Sequence, residues 1–216
     1  MRMNLIPVTK KENLSAPQSE ATKRMGNLKK RVVLLVRACF LVVVLSVAIY
    51  PFLPLFRYHT GLYETVVPEI SANAESDAPA TVEGNILAIP KIGVKTEIVG
   101  GNNAEYAWSK GAWLEPATST PDKGGNTVFS AHRFRYLPPH EKTFYLLDKL
   151  EAGDTFSVYW EGKEYRYIVR DTKVVLPTDV YILEPTDESI ITLYTCTPIF
   201  STAKRLVVTG ELTDII

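Results

Sequence analysis

Cysteine is nearly absent from this chain: 216 residues hold two, Cys39 and Cys196. One sits in a long apolar run and the other in a Thr-rich segment, so they form no disulfide scaffold and cannot build a Cys-rich zinc site. Histidine is also scarce, with three residues. Net charge is missing altogether, because 24 Lys+Arg balance 24 Asp+Glu. The balance hides a strong asymmetry. Residues 1–37 carry nine basic and two acidic side chains, and the remainder carries 15 basic against 22 acidic. A body with excess negative charge repels phosphates, which excludes a nucleic-acid-binding role for it. No internal repeat is visible, and 46% hydrophobic residues exclude a collagen-like or wholly disordered chain.

What the sequence does have, early on, is an apolar run. Ala38–Phe56 is 19 residues without a charge, preceded by the apolar Val32–Val36. About 20 such residues cross a bilayer as a helix. Ser46 is the only polar side chain between Cys39 and Ile49, so the run lacks the polar face of a soluble amphipathic helix. Arg37 can snorkel at the inner end, Pro51 and Pro54 break the last turn, and Tyr50, Phe52, Phe56 and Tyr58 form an interfacial aromatic belt. The run exceeds the apolar core of a cleavable signal and no small-x-small site follows it, so an uncleaved anchor is expected. Basic residues precede the span, which keeps the N-terminus in the cytoplasm and exports the rest.

The expected organisation is a disordered basic cytoplasmic tail over 1–31 and a transmembrane anchor over 32–56. An Ala/Ser/Glu/Pro-rich extracellular linker follows over 57–84, and one folded domain over 85–214. That domain reads as mainly β. Strands are expected at Asn85–Pro90, Asn126–His132, Thr155–Trp160, Glu164–Val175, Ser189–Cys196 and Lys204–Leu212, with a hairpin turn at Gly162-Lys163. One short helix is expected at Phe144–Leu150. Many short strands separated by turn residues suggest a closed barrel or a sandwich.

Cys196 is the only cysteine outside the apolar run. Alone, it reads first as a buried inert thiol; the nucleophile reading needs a base and a positive charge nearby. His132 ends an apolar strand, where it is either a hydrogen-bonded surface residue or a general base; His59 is juxtamembrane and His140 follows Pro138-Pro139 in a loop. Arg205 stands nine residues after Cys196, across the loop Thr197–Ala203. An antiparallel strand pair could bring the two to one end of the barrel, where a guanidinium can stabilise an oxyanion; Lys204 would then point to the other face.

At these residues the chain resembles the sortases. Thr192-Leu193-Tyr194-Thr195-Cys196, with Arg205 nine positions on, is similar to the Thr-Leu-x-Thr-Cys strand and following Arg of that family. Ala131-His132-Arg133 is similar to its His strand, and Ala88-Ile89-Pro90-Lys91-Ile92-Gly93 to its first strand. Phe144–Leu150 with Gly153-Asp154-Thr155 resembles the segment after the His. The resemblance covers roughly 85–212 and implies a closed eight-stranded β-barrel with short helices behind a single transmembrane helix.

It also implies a transpeptidase with His132, Cys196 and Arg205 as catalytic residues, and Thr195 and Ala131 as substrate-binding residues in the groove. The substrate would be a surface protein carrying a Leu-Pro-x-Thr-Gly-like sorting signal. The acceptor would be the amine of a cell-wall precursor or of a pilin lysine. A cysteine hydrolase and a non-catalytic peptide-binding barrel are the rival readings. No carboxylate can be assigned to orient His132; Asp122 and Asp171 are candidates by type alone.

No cofactor is implied. Some sortases bind calcium, but Glu97, Glu105, Asp122, Asp171, Asp179 and Glu184 show no spacing that commits them to a metal. The Cys segment resembles the pilin-polymerising class. That class often carries an Asp-Pro-aromatic lid motif and a C-terminal span, and neither is seen before Ile216, where Asp77-Ala78-Pro79 is the nearest approach. Single-anchor classes fit that topology better.

Overall fold

The structure is a computed structural model that describes residues 16–61, 84–135 and 141–216. It divides into two units, Met1–Ile49 and Tyr50–Ile216. In the first, one helix, α1, runs Ala16–Ile49, so it begins inside the segment expected to be an unstructured tail. Ser46 donates its hydroxyl to the Val43 carbonyl at 2.8 Å, which satisfies the one polar side chain of the apolar run within the helix. The helical stretch Arg24–His59 is long and apolar enough to cross a membrane, with a mean hydropathy of 2.9 in its best window and none of that window buried.

The second unit opens with a 3₁₀ turn at Tyr50–Phe52 and a short helix, α2, at Leu53–His59. Pro51 and Pro54 explain this break, because each lacks an N–H and fits the first positions of a new helix. The expected linker lies mostly in 62–83, outside the described residues.

From Ile86 onward the chain forms eight strands. They are β1 Ile86–Ile89, β2 Val94–Val99, β3 Ala112–Leu114, β4 Asn126–Ser130, β5 Thr155–Trp160, β6 Lys163–Val175, β7 Ile190–Thr197 and β8 Lys204–Ile215. They close into a barrel in the order β1-β2-β3-β4-β7-β8-β6-β5. The β2–β3 and β4–β7 pairs are parallel and the others antiparallel. The eight-stranded barrel is therefore the fold of this chain. Its β5–β6 hairpin closes between Trp160 and Lys163. The two loop residues, Glu161 and Gly162, both have positive φ, 49° and 80°, as a two-residue turn matched to strand twist requires.

Strand alternation sets the inside and the outside. Ile191, Leu193 and Thr195 of β7 are buried, and the first two join a core with Leu87, Ile89, Phe129 and Tyr167. Thr192, Tyr194 and Cys196 take the opposite face. A 3₁₀ turn at Val180–Leu183 roofs part of that outer face, where Val175, Ile182 and Val207 form a second apolar cluster against Leu183 and Tyr194. Asn126 fastens this roof. Its amide donates to the carbonyls of Ile182 and Glu184, both at 2.9 Å, and its oxygen accepts from the Thr192 hydroxyl at 2.8 Å.

Three features differ from the sequence expectation. The segment 144–150 is no α-helix and has only a 3₁₀ turn at Leu147–Lys149. Phe144, Tyr145, Leu146 and Leu147 are all buried, which a one-sided helix cannot achieve for four consecutive residues. Strands β2 and β3 were not expected. Nor was helix α3, Ala104–Lys110, which starts where the Asn103 side chain accepts the Tyr106 N–H at 3.0 Å. Gly111 lets this helix lie close to β2, since a Cβ there would stand 2.1 Å from the Glu97 carbonyl oxygen.

Candidate active site

The parallel β4–β7 ladder ends with Ser130 opposite Tyr194. Two residues further along each chain stand His132 and Cys196. In the antiparallel β7–β8 ladder, Cys196 is the direct partner of Arg205. Directly opposed residues point to the same face, so the thiol and the guanidinium share one side of the sheet. The three expected chemical groups therefore come from three adjacent segments at one end of the barrel. Cys196 is a free thiol of intermediate exposure, and Lys204 pairs with Thr197 on the alternate face.

Thr195 and Ala131, expected as substrate-binding residues, are joined to each other. Both are buried, at 2% and 5% exposure, and the Thr195 hydroxyl donates to the Ala131 carbonyl at 2.8 Å. Their bond ties the residue before Cys196 to the residue before His132, so it fixes the two chemical groups relative to each other.

His132 is half-buried, with the Trp108 ring 5.0 Å away, centroid to centroid, at a 55° tilt. Its Nε2 lies 3.1 Å from Nη1 of Arg135, which in turn is ion-paired with Glu105. A guanidinium only donates, so this contact makes Nε2 the acceptor and places the proton on Nδ1. Burial lowers the His132 pKa below its ordinary 6.5, the Arg135 charge lowers it further, and Glu105 opposes both. The imidazole is thus held neutral near pH 7. The two candidate orienting carboxylates are elsewhere. Asp122 lies in the turn before β4, at the opposite end of that strand, and Asp171 is on β6 opposite Thr209.

Arg205 folds back on its own loop, with Nη1 donating to the carbonyls of Thr202 at 3.0 Å and Lys204 at 3.2 Å. These bonds fix the head of the side chain beside its own loop. Arg133, beside His132, is 6% exposed and donates to Asp148 at 2.7 Å, tying the chain after β4 to the Leu147–Lys149 turn.

A buried polar set behind these groups was not expected. Glu115 follows β3 and is 7% exposed. Its Oε1 accepts from the Ser130 hydroxyl at 3.1 Å and from the Tyr194 hydroxyl, and the Trp108 indole N–H donates to Ser130 Oγ at 3.0 Å. Burial raises the Glu115 pKa, and the two hydroxyl donors partly offset this. Among the described residues, no group of three or more His, Cys, Asp or Glu side chains could hold a metal ion. A cavity of about 410 Å³, lined by residues including Ser119, Lys123, Asn126, Leu183 and Thr186, lies at the opposite end of β4 from His132.

Comparison with known proteins agrees with this geometry. The Sortase domain family model matches residues 87–213. The chain is 30% identical over 144 residues to Sortase SrtE1 of Streptomyces coelicolor, covering 60% of this chain and 40% of that protein. It is 30% identical over 148 residues to Sortase A of Listeria monocytogenes, covering 68% and 63%. Among solved structures, a Streptococcus pneumoniae sortase C matches with a TM-score of 0.54 at 31% identity, over 62% of this chain and 68% of that one. The Listeria monocytogenes sortase A structure matches with a TM-score of 0.53 at 26% identity, over 61% and 87%. The chain belongs to the sortase family. It spans 40% and 53% of the length of two Streptomyces coelicolor sortases that it resembles.

Proposed function

We propose that the chain is a membrane-anchored cysteine transpeptidase acting on sorting signals of the Leu-Pro-x-Thr-Gly type. The observation that supports this reading is the register pair Cys196–Arg205, together with a parallel β4–β7 ladder that ends at Ser130 opposite Tyr194, two residues before His132 and Cys196. The Cys196 thiol passes its proton to the neutral His132 imidazole, and the resulting thiolate attacks the carbonyl carbon of the signal's Thr. Arg205 donates to the oxygen that becomes negative in the tetrahedral intermediate. His132 gives a proton to the departing amine as the C–N bond breaks, which leaves a thioester on Cys196. The incoming amine then attacks the thioester, His132 takes its proton, and the thiolate leaves.

A thioester suits this chemistry because it stays reactive toward amines, and a neutral half-buried imidazole can serve in both directions. The acceptor is a cell-wall precursor peptide or a pilin lysine; the named sortase C relative concerns pilin substrates. The apolar helix anchors the enzyme with its N-terminus in the cytoplasm and the barrel outside. A substrate tethered to the same membrane then meets it at raised effective concentration.

The test is product analysis with a Leu-Pro-x-Thr-Gly peptide library, with and without an added amine such as triglycine. Transpeptidation predicts an amine-linked product that replaces the hydrolysed one as the amine concentration rises. A product indifferent to amine means a hydrolase. No turnover of any peptide supports the peptide-binding barrel.

A further inference from the structure

The Glu115 cluster is unused by the reaction steps, yet it touches the supports of two of the three groups. Trp108, whose ring packs on His132, is held by its N–H on Ser130 Oγ. Ser130 lies two residues before His132 and donates to Glu115. Tyr194 lies two residues before Cys196 and donates to the same carboxylate oxygen. The Tyr194 hydroxyl also stands in the field of the Arg205 guanidinium. Trp108 is braced from behind by an edge-on contact with Trp113, at 5.6 Å and 88°, and the Trp113 indole donates to the Gly101 carbonyl at 2.8 Å.

We propose that Glu115 is a positioning residue: its buried carboxylate, bonded to Ser130 and Tyr194, fixes Trp108 against the His132 imidazole and sets the strand end that carries Cys196. This rests on the transpeptidase reading for its kinetic arm only. Among the described residues no cation pairs with Glu115, and an unpaired buried carboxylate is costly unless its donors hold it in good geometry. Here both donors are hydroxyls on the two strands behind the reacting pair. Removing the carboxylate leaves the half-buried Tyr194 hydroxyl and the buried Ser130 hydroxyl without this acceptor, and both strand ends can relax. A shift of about 1 Å in a reacting group costs on the order of 10²-fold in rate.

The experiment uses the full chain in detergent micelles. It measures kcat and KM for a reactive sorting peptide, the NMR titration of His132, and the rate of Cys196 alkylation by iodoacetamide. Glu115→Ala should lower kcat at least tenfold with KM within about twofold. It should also move the His132 titration up toward 6.5, the ordinary value, as the ring loses its cover. Glu115→Gln keeps a carbonyl acceptor for both hydroxyls and should restore kcat to within about threefold and the titration to that of the wild type.

If Glu115→Ala does not fold, Trp108→Phe carries the test. It keeps a ring and deletes the N–H to Ser130, and should lower kcat at least threefold while raising the His132 titration. Wild-type kcat and titration in Glu115→Ala, or in Trp108→Phe, overturn the proposal. So do equal losses in Glu115→Ala and Glu115→Gln. If no peptide turns over in the wild type, the transpeptidase reading fails, while the role of Glu115 is still decided by the His132 titration and by Cys196 alkylation, whose rate should change in Glu115→Ala and return in Glu115→Gln.

Discussion

Replacing Thr195 by Val tests whether the buried tie beneath the site sets its geometry. Val matches Thr in shape and lacks the hydroxyl, so the substitution removes the 2.8 Å bond to the Ala131 carbonyl and little else. The carbonyl belongs to a residue only 5% exposed, so water replaces the lost donor poorly. An unsatisfied buried acceptor costs about 1–3 kcal/mol. For a domain of this size each kcal/mol lowers Tm by roughly 3–6 °C. A fall of about 3–18 °C is therefore expected by thermal denaturation at pH 7. The same bond joins the residues before His132 and Cys196, so kcat for a sorting peptide should drop tenfold or more. Thr195→Ser keeps the hydroxyl and should recover most of the rate. Thr195→Val with unchanged Tm and unchanged kcat refutes the claim that this bond positions the pair.

Arg205→Lys keeps the charge but loses the forked donors, so peptide cleavage should fall about 10²-fold or more while Tm moves little. Gly210→Val should strongly destabilise the barrel in urea unfolding, because even a Cβ there stands 2.6 Å from the Phe156 ring. His132 has a pKa lowered by folding, so the unfolded chain takes up its proton first as pH falls below about 6.5. This residue therefore subtracts nothing above that pH and costs stability as the solution is acidified through and below it. His132→Asn should make the pH 5–7 stability curve flatter than that of the wild type.

The parts legible in the sequence were those with local signals. β5 and β6 are aromatic and β-branched and are joined by a Gly162 turn, and their limits agree with expectation to within a residue. β7 and β8 likewise declared themselves by composition, and with them the Cys196–Arg205 pairing. β2 was hidden because Lys95 and Glu97 interrupt it, although Val94, Thr96 and Ile98 turn inward between them. β3 has three residues, too few for a period, and α3 has seven with no clear apolar stripe.

Phe144–Leu150 looked helical because it is largely apolar, yet Phe144, Tyr145, Leu146, Leu147 and Leu150 are all buried against the core. At the site, Cys196, His132 and Arg205 carry motif signals. Glu115, Ser130 and Trp108 do not, since their meeting depends on how β3, β4 and α3 cross. Thr195 was legible as part of the motif, but its buried place below the site is a consequence of strand alternation at the barrel end.

The most direct measurement of the central claim is the intact mass of the full chain after mixing with a Leu-Pro-x-Thr-Gly peptide, without acceptor amine, beside Cys196→Ala. The account predicts a mass increase equal to the acyl half of the peptide, on the wild type only, which disappears when amine is added. An adduct that persists in Cys196→Ala, or wild-type turnover of peptide by that variant, would contradict it.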